Sequence, residues 1–265
     1  MTDTTDLTDF RALVETLPPG PGRVVVTTGD LATIRFDHEP SRNALDPAMM
    51  VALSDAIEAV RDARVVVLSG AHRTFCSGGN LGAVRSHLAM PGAGRAFGAF
   101  MQDALDRLAA LDAIVIAVVE GAALGGGAEL VVTADLVVAA PDARIGFVHA
   151  RLGVSPGFGG GGRLVSRVGP RAALQVLAFA RVLGAAEAHA IDLVDEVDPD
   201  PHARADALAT ELLALPAAAV RGAKRVVRAA APPVGRTEEL EVFAELWGGP
   251  DHQRALAGNA REPRR

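Results

Sequence analysis

No tyrosine occurs in this chain of 265 residues, and cysteine, lysine and tryptophan occur once each, as Cys76, Lys224 and Trp247. Without a phenol, one general acid drops out of consideration. A single thiol excludes an internal disulfide and any multi-cysteine zinc site. The formal charge is −6, so a phosphate-tracking surface would have to come from scattered arginines, and nucleic acid is not expected as a partner. The seven histidines, at 38, 72, 87, 149, 189, 202 and 252, show neither HxxxH nor HxH spacing, and no metal site is expected. Long apolar runs are missing too: none reaches about 18 residues without a glycine or a charge. The acidic opening "MTDTTDLTDF" has no basic n-region and no apolar h-region. The expectation is a cytoplasmic protein without a membrane span or secretory signal.

What is present is apolar and glycine-rich. With 49% apolar residues the chain has the material for a sizeable core. The Pro/Gly-rich "LPPGPGR" sets off an N-terminal extension, 1–22, from the body. From Arg23, the β-branched runs "VVVTT", "ATIRF", "RVVVLSG", "AIVIAVVEG" and "LVVAA" alternate with helical patterns such as "PAMMVALSDAIEAV" and "AFMQDALDRLAAL". That alternation predicts an α/β core over 23–200 with largely buried strands. Beyond it, 201–265 reads as a helical region, with helices at 204–215, 217–230 and 237–247 whose apolar faces have no sheet of their own.

Two strand-to-glycine junctions share a design, "VVVLSGAHRTFCSGGNL" and "VIAVVEGAALGGGAEL". If Gly126 opens a helix through "AELVVTA", its N–H points out of the helix N-terminus, where an anion is favoured. A second N–H from the "CSGG" turn, converging on the same point, would complete an oxyanion hole for a thioester enolate or a tetrahedral oxyanion.

The motifs "SRNALD", "FCSGGNL", "VEGAALGGGAEL", "ADLVVAAPDARIGF" and "LGVSPGFGGGGRL" follow one another in an order that resembles the enoyl-CoA hydratase/isomerase (crotonase) superfamily, from about Arg23 to the C-terminus. The resemblance implies a spiral of ββα units, a C-terminal helical trimerisation layer giving a trimer or a dimer of trimers, and an acyl-CoA thioester as substrate with no other cofactor. It assigns the oxyanion donors to the N–H groups of Ser77 and Gly126. Substrate contacts fall on Arg42, Ala44, Ser77, Gly78, Gly79, Asn80, Gly125 and Gly126. Glu129 matches the first catalytic glutamate of the hydratases, whereas the position of the second is held by His149 and Asn80 replaces the usual acid of "GGD". A narrower resemblance, through "NLGAVRSH", "FMQDAL", "FVHARLG" and "ELWGGP", is to the ethylmalonyl-CoA decarboxylase branch. It implies loss of CO2 from a small 2-alkylmalonyl-CoA. A hydratase or isomerase working through Glu129 alone, and a non-catalytic acyl-CoA-binding subunit, remain the alternatives. The separate roles of Glu129 and His149 stay open at this point.

Simpler readings exist for each residue. Glu129 is predicted to be buried, since "AELVVTADLVV" is apolar on nearly every face, and a buried carboxylate needs a partner or a raised pKa. A lone histidine among apolar residues is more often packing than chemistry, and only the family position singles out His149. Cys76 reads as a small buried hydrophobe. The run "GFGGGG" formally fits GxGxxG, but Pro156 interrupts it and no acid follows at the right distance, so close helix packing explains it better. The Met and Phe residues of "AFGAFMQDAL" read as the core face of a helix bordering the acyl pocket.

Overall fold

The computed structural model describes residues 4–18, 20–83, 85, 93–230 and 236–258. Of the motif "NLGAVRSH", positions 84, 86 and 87 lie outside these. The large sheet contains β1 (Arg23–Thr27), β2 (Leu31–Asp37), β3 (Val65–Gly70), β4 (Ile114–Val119), β6 (Leu136–Ala139) and β9 (Glu196–Val197), in the order β1-β2-β3-β4-β6-β9. A small sheet holds β5 (Ala122–Leu124), β7 (Arg144–Gly146) and β8 (Val182–Gly184), in the order β5-β7-β8. Apart from the antiparallel β1–β2 pair, the large sheet is parallel. Its central strands are buried on both faces, which is why they read as unbroken Val/Ile runs instead of alternating ones.

The chain repeatedly runs through the large sheet, turns, runs through the small one and leaves by a helix. Thus β4 passes to β5 and α5 (Gly126–Val131), and β6 to β7 and α6 (Gly160–Ala178). An isolated bridge between Cys76 and Ala123 carries the same pattern back to the segment after β3. This is the expected spiral of ββα units. The four strands of the small sheet and large-sheet edge, β5, β7, β8 and β9, carry no periodicity of their own because each spans only two or three residues.

On one side of the large sheet lie α2 (Pro47–Ala59) and α4 (Ala93–Ala110), with α1 (Thr4–Glu15) packed on both. α2 begins where Asp46 accepts the Met49 N–H at 2.8 Å and Pro47 takes the first helical position. α1 is docked on the body: Phe10 is buried with its ring 4.7 Å from that of Phe100. α3 (Leu81–Ala83) and α7 (Ala185–His189) are single turns. α6 is interrupted at Gly169, which takes φ 75 and ψ 160 ahead of Pro170.

The C-terminal region contains α8 (Pro201–Ala214), α9 (Ala217–Ala230), α10 (Arg236–Leu246) and α11 (Pro250–Gly258). The expectation that this region has no sheet to cover is corrected for α8. Ala205 and Ala209 pack on Val65, Val67, Ile116, Val118 and Val138, the outer face of the large sheet. α10 and α11 instead return to α4, α6 and the 3-10 turn Val148–Leu152. No helix among the described residues is long and apolar enough to cross a membrane.

Candidate active site

The three glycines at the start of α5, Gly125 to Gly127, answer to three constraints. Gly125 adopts φ 54 and ψ −122, a conformation closed to L side chains. A Cβ on Gly126 would lie 2.6 Å from the Phe158 ring, and one on Gly127 would lie 2.1 Å from the Cys76 carbonyl oxygen. The backbone therefore passes flush against two neighbours; the Ala128 N–H donates to the Gly125 carbonyl at 2.9 Å, while the N–H groups of Gly126 and Gly127 have no backbone partner among the described residues.

One turn on, Glu129 is 1% exposed, as its apolar surroundings predict, and its carboxylate is held from three sides. Oε2 accepts the N–H groups of Phe158 at 2.9 Å and Gly160 at 3.0 Å, and Oε1 accepts from His149 Nε2 at 3.0 Å. Gly160 has to be glycine for this, since a Cβ would stand 2.4 Å from Glu129 Cγ. The "GFGGGG" run thus lets the backbone close around a carboxylate, a tighter demand than helix packing. Because a carboxylate oxygen accepts, the bond to Oε1 puts a proton on His149 Nε2. Nδ1 is buried and has no hydrogen-bond partner among the described residues.

A second carboxylate shares the start of α6. Glu239, from α10, accepts the N–H of Gly161 at 3.3 Å and of Gly162 at 3.0 Å. Burial, and then the charge of Glu129, push its pKa up to about 7 against the pull of those two N–H groups and of Arg163. Sequence reading missed this residue. In "RTEELEVF" it looks like any first-turn acid, and its partner glycines lie about 78 positions earlier.

Glu129 and His149 face a cavity of about 350 Å³. Arg42, Ala44, Gly78, Gly79, Gly125 and Gly126 line it, together with Ser77. Two assignments need correction. The Ser77 N–H donates to the Arg42 carbonyl at 3.1 Å, and its hydroxyl donates to the Ser41 carbonyl at 2.8 Å, so this N–H is already engaged and is not an open oxyanion donor. In the same turn the Gly79 N–H has no partner among the described residues, because the bridge to Leu45 uses the Gly78 carbonyl and the Asn80 N–H. The turn abuts α5 closely: a Cβ on Gly78 would lie 2.8 Å from the Leu124 carbonyl oxygen and 3.7 Å from the Gly126 nitrogen. Asn80 does not line the main cavity. Its Oδ1 accepts the N–H groups of Gly82 at 3.1 Å and Ala83 at 3.2 Å, and it borders a separate cavity beside Asp46.

Within "SRNALD" the residue that shapes the site is Asn43, which sequence reading passed over. Fully buried, it accepts the His38 N–H at 2.7 Å and donates to the carbonyls of Ala71 and Thr74, tying the Arg42 loop to the segment leading into the 77–80 turn. Cys76 is buried, and burial pushes its thiol up to about 12, which fits the apolar reading. Four aromatic rings join aliphatic side chains in the remaining wall. Phe97, which borders the pocket from α4 as expected, stands 5.2 Å from Phe158, 6.0 Å from Phe243 and 5.3 Å from Trp247, ring centre to ring centre. His252 of α11 closes this end of the cavity.

The enoyl-CoA hydratase/isomerase profile matches residues 27–255, nearly all of the spiral and the C-terminal helices. The chain belongs to the enoyl-CoA hydratase/isomerase family. Ethylmalonyl-CoA decarboxylase of Danio rerio is 37% identical over 240 residues, covering 86% of this chain and 79% of its own. The protein of that name from Rattus norvegicus is 34% identical over 260 residues, covering 94% and 87%. Among solved structures, an enoyl-CoA hydratase/isomerase from Mycobacterium paratuberculosis superposes with a TM-score of 0.82 at 25% identity, over 91% of this chain and 98% of its own. The family setting gives the imidazole its interest: it stands where the sequence resemblance expects the hydratases' second carboxylate.

Proposed function

We propose that the protein is a decarboxylase of a small 2-alkylmalonyl-CoA thioester, working through an enolate held by backbone N–H groups. One observation carries the reading. Glu129 accepts from two backbone donors and from His149, and His149 Nδ1 is buried beside the cavity with no hydrogen-bond partner among the described residues.

That arrangement suits one proton transfer better than the activation of water. Hydration asks for a carboxylate free to take a proton from water and an acid to protonate carbon. Here Glu129 orients and electrostatically supports the imidazole, and His149 handles the proton. The thioester oxygen would take the N–H groups of Gly79 and Gly126. As the bond from Cα to the carboxylate breaks, its electron pair enters the thioester enolate and CO2 leaves. The Nδ1 proton of the imidazolium then passes to Cα, giving the acyl-CoA, and solvent returns one proton to the ring. The names of the Danio rerio and Rattus norvegicus relatives support the same chemistry. Trimeric or hexameric assembly belongs to this reading, and the exposed Val226 and Val227 of α9 suit a buried subunit contact.

The test is to incubate the protein separately with ethylmalonyl-CoA, methylmalonyl-CoA and crotonyl-CoA and follow the products by mass. Loss of CO2 from the first two with crotonyl-CoA unchanged is expected. Rapid hydration of crotonyl-CoA with ethylmalonyl-CoA untouched would overturn the proposal.

A further inference from the structure

His252 is a buried polar residue that the chemistry above leaves without a task. It is 2% exposed and lines the acyl cavity from the first turn of α11. The Gly248 N–H donates to its Nδ1 at 2.9 Å. A ring nitrogen that accepts carries no proton, so in the neutral imidazole the proton sits on Nε2. Nε2 has no hydrogen-bond partner among the described residues. Burial lowers the pKa of the ring from the ordinary 6.5, so it is neutral at pH 7.

The ring is also firmly placed. Its centre stands 4.5 Å from that of the Trp247 indole. Behind it, Gly153 has φ 70, and a Cβ there would lie 2.7 Å from the backbone nitrogen of His252, so the α11 backbone rests directly on the turn that carries His149. The result is an oriented neutral imidazole N–H at the end of the cavity that Phe97, Phe243 and Trp247 also line.

We infer that His252 recognises the substrate's own carboxylate, through Nε2–H, and so selects 2-carboxyacyl thioesters over plain acyl thioesters. The inference rests on the decarboxylase reading and deepens it. Other polar groups on the cavity are poor candidates. Glu129 is an anion and would repel the carboxylate. Arg151 donates to the Ala180 carbonyl at 2.6 Å. Arg42 belongs to the loop whose carbonyl holds the Ser77 turn, on the thioester side of the cavity. His149 has the proton to deliver.

A neutral donor suits this reaction for a definite reason. A cation paired with the carboxylate would stabilise the ground state, and that stabilisation would vanish as CO2 forms, raising the barrier. A single N–H among aromatic rings orients the carboxylate out of the thioester plane with little of that penalty, while the apolar wall tolerates neutral CO2 better than the anion. Recognition and low ground-state stabilisation are thus met by one uncharged side chain.

The test uses 2-sulfobutyryl-CoA, whose anion cannot leave as CO2, and butyryl-CoA, with binding measured by calorimetry on the intact protein. The wild type should bind the sulfonate more tightly than butyryl-CoA; equal binding overturns the inference without any variant. His252→Asn keeps an acceptor for the Gly248 N–H and, with its shorter side chain, takes the donor away from the Nε2 position, and should lose about 10-fold or more in affinity for the sulfonate with butyryl-CoA unchanged. His252→Gln, whose amide N–H reaches toward the Nε2 position, should recover part of the loss. Equal loss for both ligands in both variants makes the ring a packing element and overturns the inference, as does wild-type binding of the sulfonate by His252→Asn. Turnover separates the two proposals. Selective sulfonate loss in a protein that leaves ethylmalonyl-CoA intact sustains recognition and removes the decarboxylase reading, whereas CO2 release with no sulfonate preference does the reverse.

Discussion

Two pairs of titratable groups, one built on the buried Lys224 and one on the buried Glu129, serve this molecule in different ways. Lys224 of α9 donates to Asp135 Oδ2 at 2.6 Å and to the Ala113 carbonyl at 2.7 Å, and the same Oδ2 accepts the Val115 N–H at 2.7 Å. The buried ammonium is held by two acceptors, and the cluster fastens a C-terminal helix to the start of β4 and the residue before β6, with the Asp135 side chain 28% exposed. Glu129 and His149 stand 3.0 Å apart and are buried on both sides of the pair, yet one imidazole nitrogen has no partner among the described residues and lies beside a cavity. The first pair is architectural. The second presents an open hydrogen-bonding group to the cavity. The state of the remaining hydrogen-bonding groups on the buried member separates the two.

The largest effect should come from the backbone donor that the second pair serves. Gly126→Val drives a side chain into the Phe158 ring and displaces the N–H at the start of α5. A loss of about 10³ in kcat/KM is expected in a variant whose circular dichroism matches the wild type. Wild-type turnover would show that α5 does not supply an oxyanion donor.

Next comes the architectural pair. Lys224→Met keeps the volume of the stem and leaves Asp135 without its cation, and should cost about 3 kcal/mol of unfolding free energy in a urea titration. kcat per folded molecule should stay at the wild-type value. A catalytic defect with unchanged stability would invert the comparison drawn above.

His149→Ala is the counterpart. Decarboxylation of ethylmalonyl-CoA should fall by about 10² if the imidazole delivers the proton, with CoA affinity nearly unaltered and the melting temperature lowered, since the buried Glu129 Oε1 loses its partner. If turnover survives, His149 is packing and the proton comes from elsewhere.

The smallest effect concerns Glu239, whose pKa stands at about 7 in the folded chain against an ordinary 4.5. Across that interval the folded state binds more protons than the unfolded state. Its contribution to stability is therefore greatest below pH 4.5 and is lost as the pH rises through about 7. Glu239→Gln should flatten that part of the profile of melting temperature against pH. Parallel profiles for wild type and variant would mean that another group holds the proton.

Much of this was legible in the residues alone. Long strands such as β3 and β4 announce themselves because strands buried on both faces must be apolar throughout. Glu129 stood out because a lone carboxylate in a small apolar run has to be dealt with, and the glycines around it are required by close approach of backbone. The helices of the C-terminal region were readable within a few residues, but α11 was not, since nine residues that include two charges and a histidine carry little periodic signal.

Composition and local pattern, then, determined the class of fold, the buried strands, the helix start at Gly126 and the candidacy of Glu129, because each rests on forces acting within a few residues along the chain, whereas His149 was singled out by the family resemblance alone. Only the tertiary structure decided that the Ser77 N–H is taken by Arg42 while Gly79 is open, that Asn80 caps a turn, that Glu239 and His252 return from the C-terminus to the site, and that Lys224 is a clamp. The physical reason is that a hydrogen-bonding group's availability depends on which partners converge on it in space, and those partners lie up to about a hundred positions away in the chain.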